Sequence, residues 1–134
     1  MEIQLILADA AQAVNGKVSM LGAGWSVTGT PTALSAVVAL IKVPWDRANE
    51  RLPMHLQLVD EDGQAVLIPQ PQGGGAPVEF RGDLEAGRPA GLKPGTPIDA
   101  SFAINIPPLP LPPGRYVWSL ELGGENVTTS FQVA

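Results

Sequence analysis

His55 is the only histidine in a chain of 134 residues that holds no cysteine. Thiolate metal sites, cysteine nucleophiles and metal centres needing two imidazoles are therefore excluded, and a single-histidine Ser-His-Asp arrangement is the remaining nucleophilic chemistry to weigh. That arrangement lacks a G-x-S-x-G elbow to present its serine. In "MHLQLV" the histidine also alternates against Met54, Leu56 and Leu58, which places it on a solvent face. Asp60, Glu61 and Asp62 raise calcium chemistry, but D-x-D-x-D-G spacing fails because only two aspartates precede Gly63. Glycoside hydrolysis needs carboxylates roughly 5 to 9 Å apart across a cleft, which neighbours on one short turn do not provide. The glycines of "GAGWSVTG" miss the dinucleotide fingerprint, which requires a following helix, and mark a bulge or close strand approach instead. Asn126-Val127-Thr128 has the form of a glycosylation sequon with no secretory signal to give it meaning. No catalytic residue, cofactor or metal ligand is expected.

What remains is surface. Trp45 follows Pro44 in a polar stretch with Asp46 and Arg47 beside it, and Trp and Arg are the residue types most enriched where protein interfaces concentrate their energy. A second stretch, "AGRPAGLKPGTP", carries Arg88, Leu92 and Lys93 in a loop long for a compact domain, of a length that is often functional although loops also merely connect. These six residues form the expected contact surface. Trp25 and Trp118 are expected within strands, in the core.

The partner expected is a protein, including a second copy of the same chain in a homo-oligomer. A small-ligand or carbohydrate module with Trp45 or Trp25 as a stacking platform is the alternative, and an aromatic content of 5% weighs against it. Nucleic acid is excluded: the net charge is −5, the pI about 4.6, and the eight basic residues are scattered singly. The most apolar window, "ALSAVVALIKV", falls short of the roughly 20 residues a spanning helix needs. The acidic start, interrupted at Gln4 and Asp9, reads as a first strand of a cytoplasmic protein.

The elements that must position these residues repeat with period two. "IDASFAINI" sets Ile98, Ala100, Phe102, Ile104 and Ile106 on one face, "VEFRGDLE" alternates Val78, Phe80 and Leu84 with charges, and "RYVWSLEL" sets Tyr116, Trp118, Leu120 and Leu122 against Ser119 and Glu121. "AVVALIKV", residues 36–43, is apolar on both faces; its β-branched residues and the stop at Pro44 make it a central strand or one covered by a partner. Asn15-Gly16 is a type I′ hairpin signal between "LILADAAQAV" and "KVSMLGAGW". Asp62-Gly63 is expected to close "MHLQLVDEDGQAVLI", and Gly123-Gly124 the last two strands. "PWDRANERL" supports at most a short loop or helix. Residues 1–134 thus read as a single all-β domain, an antiparallel, immunoglobulin-like β-sandwich of about eight or nine strands.

"INIPPLPLPPGRYVW" places five prolines between two strands. Pro110-Leu-Pro-Pro113-Gly-Arg115 fits the P-x-x-P-x-basic form read by aromatic grooves, yet a segment tethered at both ends serves better as an inter-sheet corner. Leu109 and Leu111 would plug the end of the core. "LPPGRY" resembles the corner of immunoglobulin-like sandwiches, where a Tyr bonds back to upstream backbone.

Taken together, "LADAAQ", "NGKVSMLGAGW", "VPWDRANERL", "LVDEDGQ", "GRPAGLKPGTPID" and "INIPPLPLPPGRYVW" resemble a family of small, uncharacterised bacterial β-sandwich proteins, mainly actinobacterial. The resemblance spans nearly the whole chain and implies a stand-alone bacterial, cytoplasmic domain. It transfers no activity, ligand or site.

Overall fold

In the computed structural model, which describes residues 1–134, the chain forms β1 (Glu2–Ala8), β2 (Ala10–Val14), β3 (Lys17–Leu21), β4 (Val27–Thr28), β5 (Ser35–Val43) and β6 (Leu52–Asp60). There follow β7 (Leu67–Pro69), β8 (Gly75–Pro77), β9 (Glu79–Leu84), β10 (Ile98–Asp99), β11 (Phe102–Ile106), β12 (Gly114–Leu122) and β13 (Glu125–Val133). The structure is all-β, its only helical element being one 3-10 turn at Trp45–Arg47. No helix is long and apolar enough to cross a membrane.

The run at 36–43 becomes a middle strand, as its composition predicts. β5 pairs antiparallel with β1 on one side and with β10 and β11 on the other. A second sheet has the order β4-β13-β12-β6-β9, antiparallel except for β4, which runs parallel to β13. The two sheets bury one cluster: Val37, Ala39, Ile41 and Val43 from β5 meet Leu56, Leu58, Trp118, Leu120, Leu122 and Val133 from the other side. Alternation in β9, β11 and β12 falls as expected, with Ile106, Tyr116 and Trp118 buried and Asn105, Arg81 and Glu121 exposed.

The first half of the other face of β5 is covered by the chain itself, whereas Leu40 is half-buried and Lys42 exposed. Ala36 and Val38 are 0% exposed there, and the β2–β3 hairpin lies over β5 and β11. Asn105 Nδ2 donates to the Ala11 carbonyl at 3.3 Å. At the tip, Asn15 and Gly16 take φ of 53° and 74°, the left-handed pair a type I′ turn needs. A Cβ on Gly16 would come 2.7 Å from the Asp99 carbonyl oxygen, so glycine is required twice over, by conformation and by close approach.

Thirteen strands replace the eight or nine expected, and the excess has identifiable causes. The first run does not continue as one hairpin arm. It divides at Asp9, where pairing passes from β5, with Ala8 opposite Ala36, to β3, with Ala10 opposite Leu21. The Asp62-Gly63 turn joins β6 to a single bridge, Val59 to Ala65, after which β7 pairs with β8. Both edges of β6 are already taken, by β12 and β9, so the chain peels away and packs Val66 and Ile68 against the core. "IDASFAINI" keeps one register across β10 and β11 but is interrupted where the Ile41 N–H donates to Ser101 Oγ at 3.0 Å. Trp25 lies in the loop before β4, outside any strand, edge-on to Phe131 at 5.6 Å.

The proline segment crosses from β11 in the first sheet to β12 in the second. Leu111 is 1% exposed and belongs to the core, with Leu109 packed beside it. The backbone is strapped to residues 30–32: Thr30 Oγ1 donates to the Leu111 carbonyl at 3.0 Å, and the Leu109 N–H donates to Thr32 Oγ1 at 2.8 Å. Tyr116 Oη donates to the Pro112 carbonyl at 2.7 Å, the upstream bond the sequence predicts. Leu111→Ala is therefore expected to cost about 3 kcal/mol and Tyr116→Phe about 1 kcal/mol, measured by urea unfolding. A free proline ligand would instead leave the Leu111→Ala midpoint unchanged.

Candidate functional site

β5 ends at Pro44, which supplies no donor to continue the ladder, and the chain turns through Trp45–Arg47. This puts Trp45 at one end of the sandwich, beside the loop of residues 87–97. The loop is anchored at both ends by buried residues, Ala86 and Ile98, with Leu92 packed against the core between them. Its Arg88 reaches back. The guanidinium carbon sits 4.3 Å from the Trp45 ring centroid, and Nη2 donates to the Trp45 carbonyl at 2.8 Å. A cation over an indole face contributes about 0.5–1 kcal/mol at an exposed site, and the added hydrogen bond fixes its geometry. Two residues 43 apart in sequence, Trp45 singled out by its type and Arg88 by the length of its loop, are brought into contact.

Beside Trp45 lies a groove of about 440 Å³. Its apolar surface comes from the side chains of Met1, Pro44, Trp45 and Pro97, and its charge from Glu2, Lys42, Asp46 and the Met1 ammonium. Lys42 already has a partner: its ammonium is bonded to Asp99, and that bond holds its pKa above the ordinary lysine value. The chain's ion pairs join Met1 to Glu125, Lys42 to Asp99, Arg47 to Glu50, and both His55 and Arg81 to Glu79. Glu2 and Asp46 belong to none of them.

The other expected contact residues have separate places. Arg47 turns away from the groove, donating to Glu50 through Nε and Nη2 at 3.3 and 3.0 Å and to the Gly123 carbonyl through Nη1 at 3.3 Å. The Arg47 bond in turn holds the Glu50 carboxyl below its ordinary value. Leu92 is a packing residue. Lys93 is exposed, and its carbonyl accepts the Thr96 N–H at 3.1 Å in the turn that carries Gly95 to the groove wall. Sequence reasoning missed Glu2 and Lys42, which meet only through the register of β1 on β5. Gly95 and Pro97 belong to a loop already under suspicion, and their side of it was not separable from the other.

His55 lies on the outer face of the second sheet, as its alternation predicts. Its Nε2 is 2.8 Å from Glu79 Oε2, and Arg81 Nη2 is 3.6 Å from the same oxygen. Ser119, on the same face, accepts from Asn126 Nδ2 at 2.9 Å. Asp60 serves its own turn, with Oδ1 accepting the N–H groups of Asp62 and Gln64 at 2.9 Å each. The imidazole and these carboxylates are thus engaged in local bonds that fix strands and turns.

The chain belongs to DUF6941, a family of unknown function whose model matches residues 4–134. No curated protein and no solved structure matches it.

The Glu79 carboxyl is held below its ordinary value first by the His55 hydrogen bond and then, against burial, by the charge of Arg81. A depressed folded pKa stabilises the native state fully above the ordinary carboxylate value of 4.5 and loses that stabilisation as pH falls through the folded value. NMR titration should place Glu79 below 4.5 and show it rising toward that value in His55→Ala. An unchanged midpoint in the variant would contradict the assignment.

Proposed function

We propose that this member of the family is a non-enzymatic protein-interaction domain that holds a partner at the Trp45 end of the sandwich. The observation that carries the reading is the Arg88–Trp45 stack, which fixes a tryptophan that also lines a groove. A large side chain fixed in advance loses little freedom on binding, which is why preorganised aromatic and arginine residues dominate interface energetics. Assembly of identical copies through β5 has less motive at Ala36 and Val38, which the β2–β3 hairpin covers. The contact instead uses the loop at 87–97 and the turn at 44–46. A small-molecule occupant is the second reading, favoured by one number: a groove of about 440 Å³ lies within the size of ordinary ligand sites.

The same proposal takes the topology as immunoglobulin-like. Support comes from the strand orders β1-β5-β11 and β13-β12-β6-β9, which correspond to the A-B-E and G-F-C-C′ sheets of that fold. The Tyr116 bond at the start of the penultimate strand agrees. A cytoplasmic, bacterial setting completes the proposal and rests on the family resemblance alone.

Trp45→Ala is expected to weaken capture of the partner from the native cell at least tenfold, and Arg88→Ala about threefold, while both variants keep the wild-type circular dichroism spectrum. Retention of the same captured proteins by folded Trp45→Ala would contradict the assignment of the site. Tryptophan fluorescence titration with a glycan panel decides the second reading, since a stacked sugar shifts the indole emission.

A further inference from the structure

We infer that the groove takes a lysine or arginine side chain projecting from an extended segment of the partner protein. This inference rests on the interaction reading above and adds the chemistry of the occupant. The apolar wall of Pro44, Trp45 and Pro97 suits an aliphatic stem, and long basic side chains bury such a stem while their charged head stays polar. Glu2 and Asp46 offer that head two carboxylates without an ion-pair partner in the chain. The groove's two cationic lining groups already have partners, the Met1 ammonium with Glu125 at 3.8 Å and Lys42 with Asp99, and Arg88 lies on the Trp45 ring without lining the groove.

The alternatives are penalised by the same groups. A neutral occupant would cover two carboxylates and strip them of water without replacing its hydrogen bonds. An acidic one would add like charge. The net charge of −5 favours encounter with a basic segment at long range.

The test uses the full chain and three acetylated, fluorescein-labelled peptides: Gly-Gly-Lys-Pro-Gly-Gly and its versions with Met or Glu in place of Lys. Fluorescence anisotropy at low salt should show the lysine peptide binding at least about tenfold more tightly than the methionine peptide, with the glutamate peptide weaker still. The preference should shrink at about 1 M salt, where charges are screened within a few ångströms. In a Glu2→Gln, Asp46→Asn variant the lysine peptide should fall to the level of the methionine peptide.

Equal binding of the lysine and methionine peptides overturns the inference. So does unchanged lysine binding in the double variant, or no lysine binding at millimolar concentration. If Trp45→Ala still abolishes partner capture in any of these cases, the interaction site stands and only its charge preference falls; if Trp45→Ala leaves capture intact, the interaction site falls with it.

Discussion

Burial of β5 on both faces is the constraint on which the other elements depend. Val37, Ala39, Ile41 and Val43 enter the core shared by the two sheets, and Ala36 and Val38 press against the opposite cover. Each fully buried valine or isoleucine contributes about 1.5–3 kcal/mol, so residues 36–39 cannot tolerate either face in water. Both lateral edges are also occupied, by β1 and by β10 with β11. One consequence is the division of the amino-terminal run: its first half must pair with β5 and its second must return as a lid. Another is register, because sliding β5 by one residue would exchange its two faces and send Lys42 into the core.

The groove follows from that register. Pairing of Glu2 with Lys42 brings the beginning of β1 to the end of β5, and Pro44 stops the strand one residue later. Trp45 therefore emerges at a fixed point on the rim. The loop at 87–97 is held there by burial at Ala86, Leu92 and Ile98, which explains how an irregular segment keeps Arg88 against the indole. Its glycines at 91 and 95 take φ of 89° and 93°, conformations that would strain other residues and that let the loop double back over a short distance. The proline corner performs the analogous task at Tyr116, closing the core with Leu111 while crossing between sheets.

Much of this was legible from residues alone because the signals are local. Alternation marked β9, β11 and β12; paired positive-φ residues marked the turns at Asn15-Gly16 and Gly123-Gly124; proline and tyrosine marked the corner. Asp62-Gly63 misled for a physical reason: a turn signal reports a reversal, and whether the strand after it finds a free edge depends on β9 and β12, which lie elsewhere in the chain. Trp25 was misplaced because a large aromatic can reach Phe131 from a loop as well as from a strand. At the proposed site, Trp45 and Arg47 stood out by residue type, Asp46 as their neighbour and Arg88 by the length of its loop, and Arg47 was not separable from the others until Glu50 and the Gly123 carbonyl claimed its guanidinium. Glu2 and Lys42 carry no signal until strand pairing is known.

Amide hydrogen exchange, resolved residue by residue, tests the dependence on β5 most directly. With both edges bonded and both faces covered, amides of residues 36–43 should rank with those of β12 as the slowest in the chain, and far slower than those of the edge strand β9. Exchange of residues 36–43 as fast as that of β9 would mean that β5 is not the protected centre of the fold, and the placement of the groove beside it would fail with that claim.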